Sequence, residues 1–209
     1  MKRDVALKAA ESLVEHLRPT CERIEVKGSV SRFKPDVKDI EILVVPDLTP
    51  VPRAKLEFGK PIPPLYKTRL DQALVQMVNE DAIRIDENGP RKKTFYLKYA
   101  GIAVDLFICI PPSEWGVQAV IRTGPSDFSH WCVTRKSRGG SLPDGYFVKH
   151  QMVWIESEIS KLEVSWNPDY AITSLNDTNH LSMPEEIDFL KFLNLGWIEP
   201  KDRVAKWAR

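Results

Sequence analysis

Apolar and polar residues along the first half of the chain are spaced as in two amphipathic helices and several strands. Residues 4–17 carry apolar side chains every three or four positions, which predicts a helix with Asp4 as its N-terminal cap. The same spacing predicts a second helix over residues 66–80. Apolar or alternating runs predict a hairpin around Asn88-Gly89 and strands in ERIEVKGS, DIEILVVP and GIAVDLFICIP.

Two proline clusters interrupt this pattern. The stretch over residues 46–64 is rich in proline, which suits neither a helix nor a central strand, so it predicts a surface connection. Pro111-Pro112 ends the last strand of the first half, and the pattern beyond it changes to helices. We therefore expect a boundary there, between residues 1–111 and residues 112–209.

Helices predominate in the second half. The pattern predicts one strand, over Tyr146–Trp154, and helices near residues 113–122, 126–136 and 184–194. Ser182 and Glu185 have the spacing of a capping box for the last helix. The fold class expected is α+β: a mixed sheet with helices on one side, followed by a small α/β C-terminal subdomain.

The composition is that of an ordinary globular protein. Of 209 residues, 43% are apolar and 28% are charged, which excludes a fibrous repeat and wholesale disorder. Cys21, Cys109 and Cys132 are too few and too scattered for a disulfide framework or a zinc site, which favours a reducing compartment. No apolar run approaches the ~20 residues of a membrane span. We expect no signal peptide, no membrane segment and an intracellular location.

The net charge of +1 conceals an asymmetry along the chain. Residues 1–149 contain 24 lysines and arginines against 19 acids, whereas residues 150–209 contain 6 against 10. A basic body with an acidic C-terminal segment is compatible with a nucleic-acid partner. A solvated surface of mixed charge accounts for the same counts equally well.

Three carboxylates interrupt strands that are otherwise apolar. Asp39 and Glu41 lie two residues apart in DIEILVVP and so face the same side of a sheet, and Asp105 interrupts GIAVDLFICI. Burying unpaired carboxylates is costly, and a cation relieves that cost. If the two strands are neighbours, the acids form an all-oxygen site suited to Mg²⁺, and two such ions would clamp an in-line displacement at phosphorus. The alternative is that Asp39 opens a strand at the sheet rim and Asp105 pairs with a nearby lysine or arginine.

A glycine-serine segment precedes these acids. Gly28 follows a predicted strand and lies eleven positions before Asp39. Glycine lets backbone N–H groups approach an anion, the Ser29 hydroxyl can donate a hydrogen bond, and the Arg32 guanidinium can bind a phosphate through two donors. This segment, followed by Asp-x-Glu in one strand and a third acid in a later strand, favours a phosphoryl-transfer site over the alternative.

These segments resemble the palm of the X-family DNA polymerases, the polymerase-beta-like branch of the nucleotidyltransferases. The matching palm elements are GSVSR, DIEILV and VDLFICIP. Arg122-Thr123-Gly124 is similar to the family's aromatic-Thr-Gly element, and Glu185–Arg203 is similar to its C-terminal signature. The matches span residues 24–203, and the chain is similar in size to minimal members that consist of a palm and a C-terminal lobe.

The resemblance implies a role for each matching residue. Asp39 and Glu41 would bridge two Mg²⁺ ions, with Mn²⁺ as a possible substitute, and Asp105 would hold the ion that activates a primer 3′-hydroxyl. The residues that would bind the nucleoside triphosphate are Gly28, Ser29, Arg32, Arg122, Thr123 and Gly124. The next helix would lie against base and template, and the candidate DNA contacts are His130, Arg135, Lys136 and Arg138.

The sequence departs from the family pattern in four respects. Glu41 stands where these polymerases normally carry Asp, which would alter the preference between Mg²⁺ and Mn²⁺. Ile121-Arg122 replaces two aromatic residues, and with them the usual means of excluding ribonucleotides. Ala103 occupies a place where some members have an arginine beside the third acid. Because the chain starts at the palm, no N-terminal lyase domain is expected.

The function expected is template-directed DNA polymerisation onto a primer 3′-hydroxyl, in the filling of short gaps during DNA repair. The partners would be gapped DNA or a primer–template and a nucleoside triphosphate, and a monomer is expected. Two alternatives stay open. One is a template-independent or ribonucleotide-tolerant terminal nucleotidyltransferase, and the other is a non-catalytic module that binds DNA ends.

Simpler explanations also stand for several basic and aromatic residues. Arg135, Lys136 and Arg138 suit the solvated end of a helix, and a surface histidine such as His130 is usually incidental. The segment Arg91-Lys92-Lys93 suits a charged hairpin tip. The tryptophans expected in the core are Trp154, Trp166 and Trp197.

Overall fold

The structure is a computed structural model that describes residues 1–47, 68–109, 114–149, 151–159 and 180–207. The helices of these residues are α1 (Arg3–Leu17), α2 (Gly28–Ser31), α3 (Arg69–Asn79), α4 (Trp115–Thr123), α5 (Ser126–Val133), α6 (Glu156–Ile159) and α7 (Glu186–Phe192). The strands are β1 (Cys21–Lys27), β2 (Asp39–Pro46), β3 (Ile83–Asn88), β4 (Lys92–Leu97), β5 (Ile102–Ile108), β6 (Tyr146–Lys149), β7 (Met152–Ile155) and β8 (His180–Leu181).

The larger sheet of the described residues has the strand order β1-β2-β5-β4-β3. β2 and β5 pair in parallel, whereas every other neighbouring pair is antiparallel. Both parallel strands are buried on their two faces over most of their length, which explains why their sequences are almost continuously apolar. The hairpin predicted around Asn88-Gly89 is formed by β3 and β4. The α+β class with a mixed sheet is confirmed.

Helices α1 and α3 cover one face of this sheet. Leu13 of α1 and Leu74 of α3 share a single buried cluster with Ile42 of β2 and Leu106 of β5. Thr68 caps α3, since its hydroxyl accepts a hydrogen bond from the Asp71 N–H while the Asp71 carboxylate accepts one from the Thr68 N–H. The helical periodicity marked most of the side chains that face the sheet, although Val5 of α1 and Val78 of α3, which share that spacing, are exposed.

Helix α1 begins at Arg3, and Asp4 is not its cap. The N-cap is Lys2, whose side chain makes no capping hydrogen bond, and Asp4 lies in the first turn. Residues 35–37 determine where the helix starts. The Met1 ammonium donates to the Val37 carbonyl at 2.8 Å, and the Arg3 N–H donates to the Pro35 carbonyl at 3.0 Å. Such non-local bonds are not visible in the helical spacing.

The opposite face of the sheet carries the carboxylates at one end and an apolar cluster at the other. The members of the apolar cluster are Leu43, Val45, Phe107, Cys109, Trp115 and Ala119. The first four continue the same strand faces as Glu41 and Asp105, and the last two belong to α4. Helix α4 thus packs beside the carboxylates, although its residues are far from theirs in sequence.

The second half contains a smaller sheet with the order β6-β7-β8. The single strand predicted over Tyr146–Trp154 is wrong, because β6 and β7 form an antiparallel hairpin in which Lys149 is opposite Met152. Gln151 has φ 69° in the turn, a left-handed backbone conformation that ends the strand. The apolar pattern contains no signal for that reversal, since non-glycine residues seldom adopt this conformation.

Helix α7 is capped by a different pair of residues from the one predicted. The helix starts at Glu186, so Glu185 is the N-cap and Asp188 the third helical residue. The Glu185 N–H donates to Asp188 Oδ2 at 3.0 Å, and the Asp188 N–H donates to the Glu185 backbone carbonyl at 3.0 Å. The predicted capping box of Ser182 and Glu185 is therefore wrong. The pattern expects a serine or threonine side chain at the cap, whereas here the Asp188 carboxylate accepts from the N-cap N–H and the Glu185 carboxylate pairs with Arg23.

The tryptophans divide differently from the prediction. Trp197 is 51% exposed, so its assignment to the core is wrong. Its indole N–H donates to Glu199. Both residues lie in an irregular segment after α7, where an apolar side chain has no regular spacing from which its burial could be predicted. Trp154 is half-buried, and Trp166 lies outside the described residues. The tryptophans buried among the described residues are Trp115 and Trp131.

Two predictions concern segments outside the described residues. The boundary at Pro111-Pro112 is one, so the division into residues 1–111 and 112–209 stays a prediction. The surface connection predicted over residues 46–64 is the other, apart from its first two residues. Among the helices that are described, none combines the length and the apolar character needed to cross a bilayer.

Removal of one core ring tests the buried cluster that α1 and α3 form with the larger sheet. Phe95 is completely buried there, and Phe95→Ala is expected to lower the free energy of unfolding by about 3–5 kcal/mol because it leaves a cavity. Urea denaturation measures this change. The control Val78→Ala, at a side chain 40% exposed on α3, should stay within about 0.5 kcal/mol of the wild type. Equal effects of the two substitutions would contradict the burial of Phe95.

Candidate active site

The three predicted carboxylates lie on one face at the start of the paired strands β2 and β5. In the parallel pairing, Glu41 is opposite Asp105, and Asp39 is opposite Ala103. Residues in register on neighbouring strands, and residues two apart on one strand, point to the same face. Asp39 is exposed, whereas Glu41 and Asp105 are half-buried. The structure therefore brings the three acids to one face, as expected if the two strands are neighbours.

The positive charges near Glu41 do not fully compensate the burial of its carboxylate and the repulsion from the neighbouring acids. Burial raises the pKa of its carboxyl to about 7, and repulsion from Asp39 and Asp105 adds to the rise. The guanidinium groups of Arg32 and Arg122 oppose it without cancelling it. A carboxylate whose pKa is raised in this way gains from any further cation placed beside it.

Asp105 is held by strand β4. Its Oδ1 accepts a hydrogen bond from Thr94 Oγ1 at 2.7 Å and lies 3.1 Å from Lys92 Nζ. Asp39, in turn, opens a strand at the sheet rim. Both elements of the simpler interpretation of the acids are thus present, and they coexist with the convergence of the three carboxylates on one face.

The chemistry of the donors fits a hard divalent cation. Carboxylates supply the oxygen ligands that Mg²⁺ and Mn²⁺ prefer, and Glu41 lacks full neutralisation. Within the described residues, however, no group of three or more His, Cys, Asp or Glu side chains is arranged to hold a metal ion. Asp105 is bonded to β4 instead. The metal role of Asp39, Glu41 and Asp105 therefore stays a prediction.

Gly28 lies directly against Glu41. It follows β1 with φ +70°, and a Cβ built on it would lie 1.8 Å from Glu41 Oε2 and 3.1 Å from Glu41 Cβ. Any larger residue would collide with the carboxylate and would also strain the backbone. Glycine is therefore required here for close approach, which agrees with its predicted place at the site.

Three predicted nucleotide-binding residues each contain a buried polar atom without a hydrogen-bond partner among the described residues. These atoms are Ser29 Oγ, Arg32 Nε and Thr123 Oγ1. Buried polar groups in native proteins are nearly always paired, and those left over call for an explanation. A polar ligand would supply one for these three atoms, whereas the unpartnered indole nitrogens of Trp115 and Trp131 belong to buried core rings.

Arg32 connects the segment after β1 to the end of α4. Its Nη1 donates to the Thr123 carbonyl, across 91 residues of sequence. A Cβ on Gly124 would lie 2.8 Å from that nitrogen, so glycine at this position leaves room for the guanidinium. Burial lowers the pKa of Arg32, while Glu41 opposes the change. The structure therefore brings together Ser29, Arg32, Thr123 and Gly124, as the motifs suggested.

Arg122 lies over the carboxylate face. Its guanidinium carbon is 3.8 Å from the centroid of the Phe107 ring, and its Nε donates to Gln118 Oε1 at 3.0 Å. Burial lowers the pKa of Arg122, and Glu41 and Asp105 oppose the change. Arg122 thus supplies positive charge to the acids, at a position where the family pattern predicted an aromatic residue.

The candidate DNA contacts differ in their surroundings. Arg135 is engaged within the protein, since it donates to the Tyr146 carbonyl at 3.1 Å and to Glu156 at 2.9 Å. Lys136 and Arg138 are exposed in a single 3-10 turn. His130 is exposed on α5, and its ring centroid lies 5.2 Å from that of Trp207 in an edge-on arrangement. A DNA role for these four residues stays a prediction, and Lys136 and Arg138 are the two most accessible to a phosphate.

A buried ion-pair network supports the site, and sequence reasoning missed it. Lys27, immediately before Gly28, lies 2.9 Å from Glu25 and 3.3 Å from Glu186 of α7. Arg203, whose side chain is fully buried, lies 2.7 Å from Glu186. The network joins the strand that leads into the glycine segment to the C-terminal signature. Glu186 and Arg203 were visible as parts of that signature, but nothing in the sequence indicated Lys27 as their partner.

The segment Arg91-Lys92-Lys93 is not an exposed hairpin tip. Arg91 pairs with the buried Glu114 at 2.5 Å, and Lys93 pairs with Asp71 at 2.7 Å and is itself buried. The simple interpretation fails because β4 lies inside the sheet, between β3 and β5. The alternation in KKTFYL placed Lys92 and Thr94 on one face, but only the register with β5 places them at Asp105.

Comparison with known proteins agrees with this geometry. No protein-family model and no curated protein matches the sequence. Among solved structures, a ternary gap complex of Leishmania infantum polymerase beta matches with a TM-score of 0.71 and 14% identity, over 97% of this chain and 70% of that one. A ternary P/T complex of the same polymerase matches with a TM-score of 0.68 and 15% identity, over 98% and 76%. The chain has a polymerase-beta-like fold.

The raised pKa of Glu41 predicts a dependence of stability on pH. The unfolded carboxyl ionises near its ordinary pKa of 4.5, whereas the folded one ionises only near 7. Without divalent ions, this group should therefore stabilise the protein most below pH 4.5, and its contribution should fall until about pH 7 and then level off. Urea denaturation of wild type and Glu41→Gln at pH 5, 6, 7 and 8 measures this: the wild type should lose stability relative to the variant as pH rises. A difference between wild type and Glu41→Gln that stays constant with pH would contradict the shift.

Proposed function

We propose that the protein is a template-directed DNA polymerase that adds nucleotides to a primer 3′-hydroxyl by a two-metal mechanism and fills short gaps in DNA repair. The observation that carries the proposal is the set of unpartnered polar atoms of Ser29, Arg32 and Thr123 beside carboxylates in register on two parallel strands. The likeness to polymerase beta in gap and P/T complexes supports it.

In the proposed reaction, the primer 3′-oxygen attacks the α-phosphorus of a nucleoside triphosphate. The bond between that phosphorus and the oxygen bridging it to the β-phosphorus breaks, and pyrophosphate leaves. Divalent ions on Asp39, Glu41 and Asp105, Mg²⁺ or alternatively Mn²⁺, would neutralise charge and activate the hydroxyl. The Ser29 hydroxyl and the free Arg32 Nε would donate to the β- and γ-phosphates, and Arg32 would stabilise the charge on departing pyrophosphate. The buried Thr123 hydroxyl would border the sugar, next to Gly124.

Positioning within the site follows from bonds that already exist. The Arg32 guanidinium is oriented by the Thr123 carbonyl, so its remaining donors are preorganised for an anion. Gly28 leaves the backbone close to Glu41, so a phosphate bound at this segment would lie near the carboxylates. Catalysis would consist of positioning and charge neutralisation, as is general for phosphoryl transfer.

A second candidate function is a template-independent or ribonucleotide-tolerant terminal nucleotidyltransferase. Arg122 turns its guanidinium onto Phe107 and the carboxylates, and Ile121 packs against the buried cluster of the second half that contains Phe128 and Leu190. Neither residue provides an aromatic wall beside a nucleotide sugar. The monomeric state and the intracellular location are further parts of the proposal and rest on the sequence.

Primer extension tests the proposed reaction. Asp105→Asn should lower the extension rate on gapped DNA at least about a hundredfold, because it removes one charge from the metal ligands. The matched control Asp86→Asn, in an exposed pair with Arg84, should retain activity. Unchanged activity of Asp105→Asn would contradict the proposal. Gapped, recessed and single-stranded primers with dNTP or rNTP separate the two candidates, since only the second extends a primer without template or accepts rNTP equally.

Binding to gapped DNA should weaken steeply with salt. If the protein neutralises ~4–6 phosphates, the slope of log K against log salt concentration should be about −4 to −5. Lys136→Gln and Arg138→Gln should each reduce the magnitude of that slope by about 1. Lys8→Gln, an exposed substitution on α1, should leave it unchanged. Fluorescence anisotropy measures the slope, and salt concentrations of roughly 50 to 200 mM are the informative range. A flat salt response would contradict a basic DNA-binding surface.

A further inference from the structure

Two side chains of β4 occupy the same oxygen of Asp105, and the proposed reaction uses neither. Thr94 is directly opposite Asp105 in the antiparallel pairing of β4 and β5, and Lys92 is opposite Phe107. Thr94 Oγ1 donates to Asp105 Oδ1 at 2.7 Å, and Lys92 Nζ lies 3.1 Å from the same oxygen. The carboxylate is therefore already hydrogen-bonded and ion-paired from the side of β4.

Lys92 has a second carboxylate within reach. Its Nζ lies 3.7 Å from Glu87 Oε2 on the neighbouring strand β3, and the ammonium is 5.7 Å from the Phe107 ring centroid. The lysine side chain is 37% exposed and the Glu87 side chain 55% exposed, so small rotations of a flexible stem suffice to change partners. Lys92 thus lies between two acids, one inside the candidate site and one outside it.

The other cations near the acids have no such freedom. Arg122 is fixed by the Phe107 ring and by Gln118, and Arg32 is bonded to the Thr123 carbonyl. Both are half-buried, and neither is within ion-pair distance of Asp105 among the contacts of the described residues. Lys92 is the displaceable charge at this carboxylate.

We propose that Lys92 is the counter-cation of Asp105, that it competes with a divalent ion for this carboxylate, and that it moves to Glu87 when the ion binds. The proposal rests on the proposed function, which makes Asp105 a metal ligand. It explains why the three acids share a face and yet form no metal-binding group among the described residues. It also gives Lys92 a specific effect, which is to set the concentration of divalent ion at which the site fills.

The sign of that effect follows from electrostatics. A positive charge a few ångströms from a cation site repels the cation, and its removal should tighten binding by about fivefold to tenfold at a partly exposed position. Lys92→Met removes the charge and keeps most of the stem. Lys92→Arg keeps the charge. A role of Lys92 in merely supporting the strand would not distinguish these variants in this way.

The test is Mn²⁺ binding to the full chain with gapped DNA and a non-hydrolysable dNTP analogue, followed through the electron paramagnetic resonance signal of free Mn²⁺. Lys92→Met should bind Mn²⁺ about fivefold to tenfold more tightly than the wild type, and Lys92→Arg should bind it within about twofold. Lys98→Met, which removes an exposed lysine paired with Asp81 beyond the end of β4, should leave Mn²⁺ binding unchanged.

A second variant guards against a folding defect in Lys92→Met. Glu87→Gln removes the alternative partner, so it should weaken Mn²⁺ binding in the wild type but have a smaller effect in the Lys92→Met background, where no lysine is left to move. Unchanged or weaker binding by folded Lys92→Met would overturn the proposal, as would equal effects of Glu87→Gln in the two backgrounds. Primer extension by the wild type tests the proposed function separately. If the wild type extends primers but its Mn²⁺ affinity does not depend on Lys92, the proposed function stands and only the inference about Lys92 is refuted.

Discussion

The parallel pairing of β2 with β5 is the constraint on which the rest of the site depends. It places Glu41 opposite Asp105, and it places Leu43 and Val45 beside Phe107 and Cys109 further along the same face. Because the apolar end of that face receives α4, one register determines both where the acids converge and where the end of α4 lies. A shift by a single residue would turn both sets of side chains to the other face.

Polar contacts join the two halves of the molecule at this face. Arg23 of β1 forms a two-bond ion pair with Glu185, with both distances 2.8 Å, and stacks 3.9 Å from the Trp115 ring centroid. Lys27 pairs with Glu186 in a more buried setting. Buried charges are tolerated only when they are paired, so the Lys27–Glu186 contact favours one relative arrangement of β1 and α7. Because Gly28 directly follows Lys27, the segment that begins at Gly28 is positioned by the same contacts.

The sequence predicted what local chemistry decides. Apolar runs marked β2 and β5, the Asn-Gly turn marked the β3–β4 hairpin, and two-residue spacing placed Asp39 and Glu41 on one face. What it could not predict depends on pairing between distant segments or on rare backbone conformations. Examples are the start of α1 against residues 35–37, the left-handed Gln151, and the contact of Lys92 with Asp105, which requires the register of β4 with β5.

The contact between Gly28 and Glu41 limits which side chains positions 28 and 41 can carry together. The space that a Cβ on Gly28 would need is filled by the Glu41 carboxylate and, 3.1 Å away, by the Glu41 Cβ itself. Shortening residue 41 to aspartate would withdraw the carboxylate but leave that Cβ in place, so it would not free position 28 to change. With either acid at position 41, a side chain at position 28 would therefore meet both this close contact and the strain of a backbone φ of +70°.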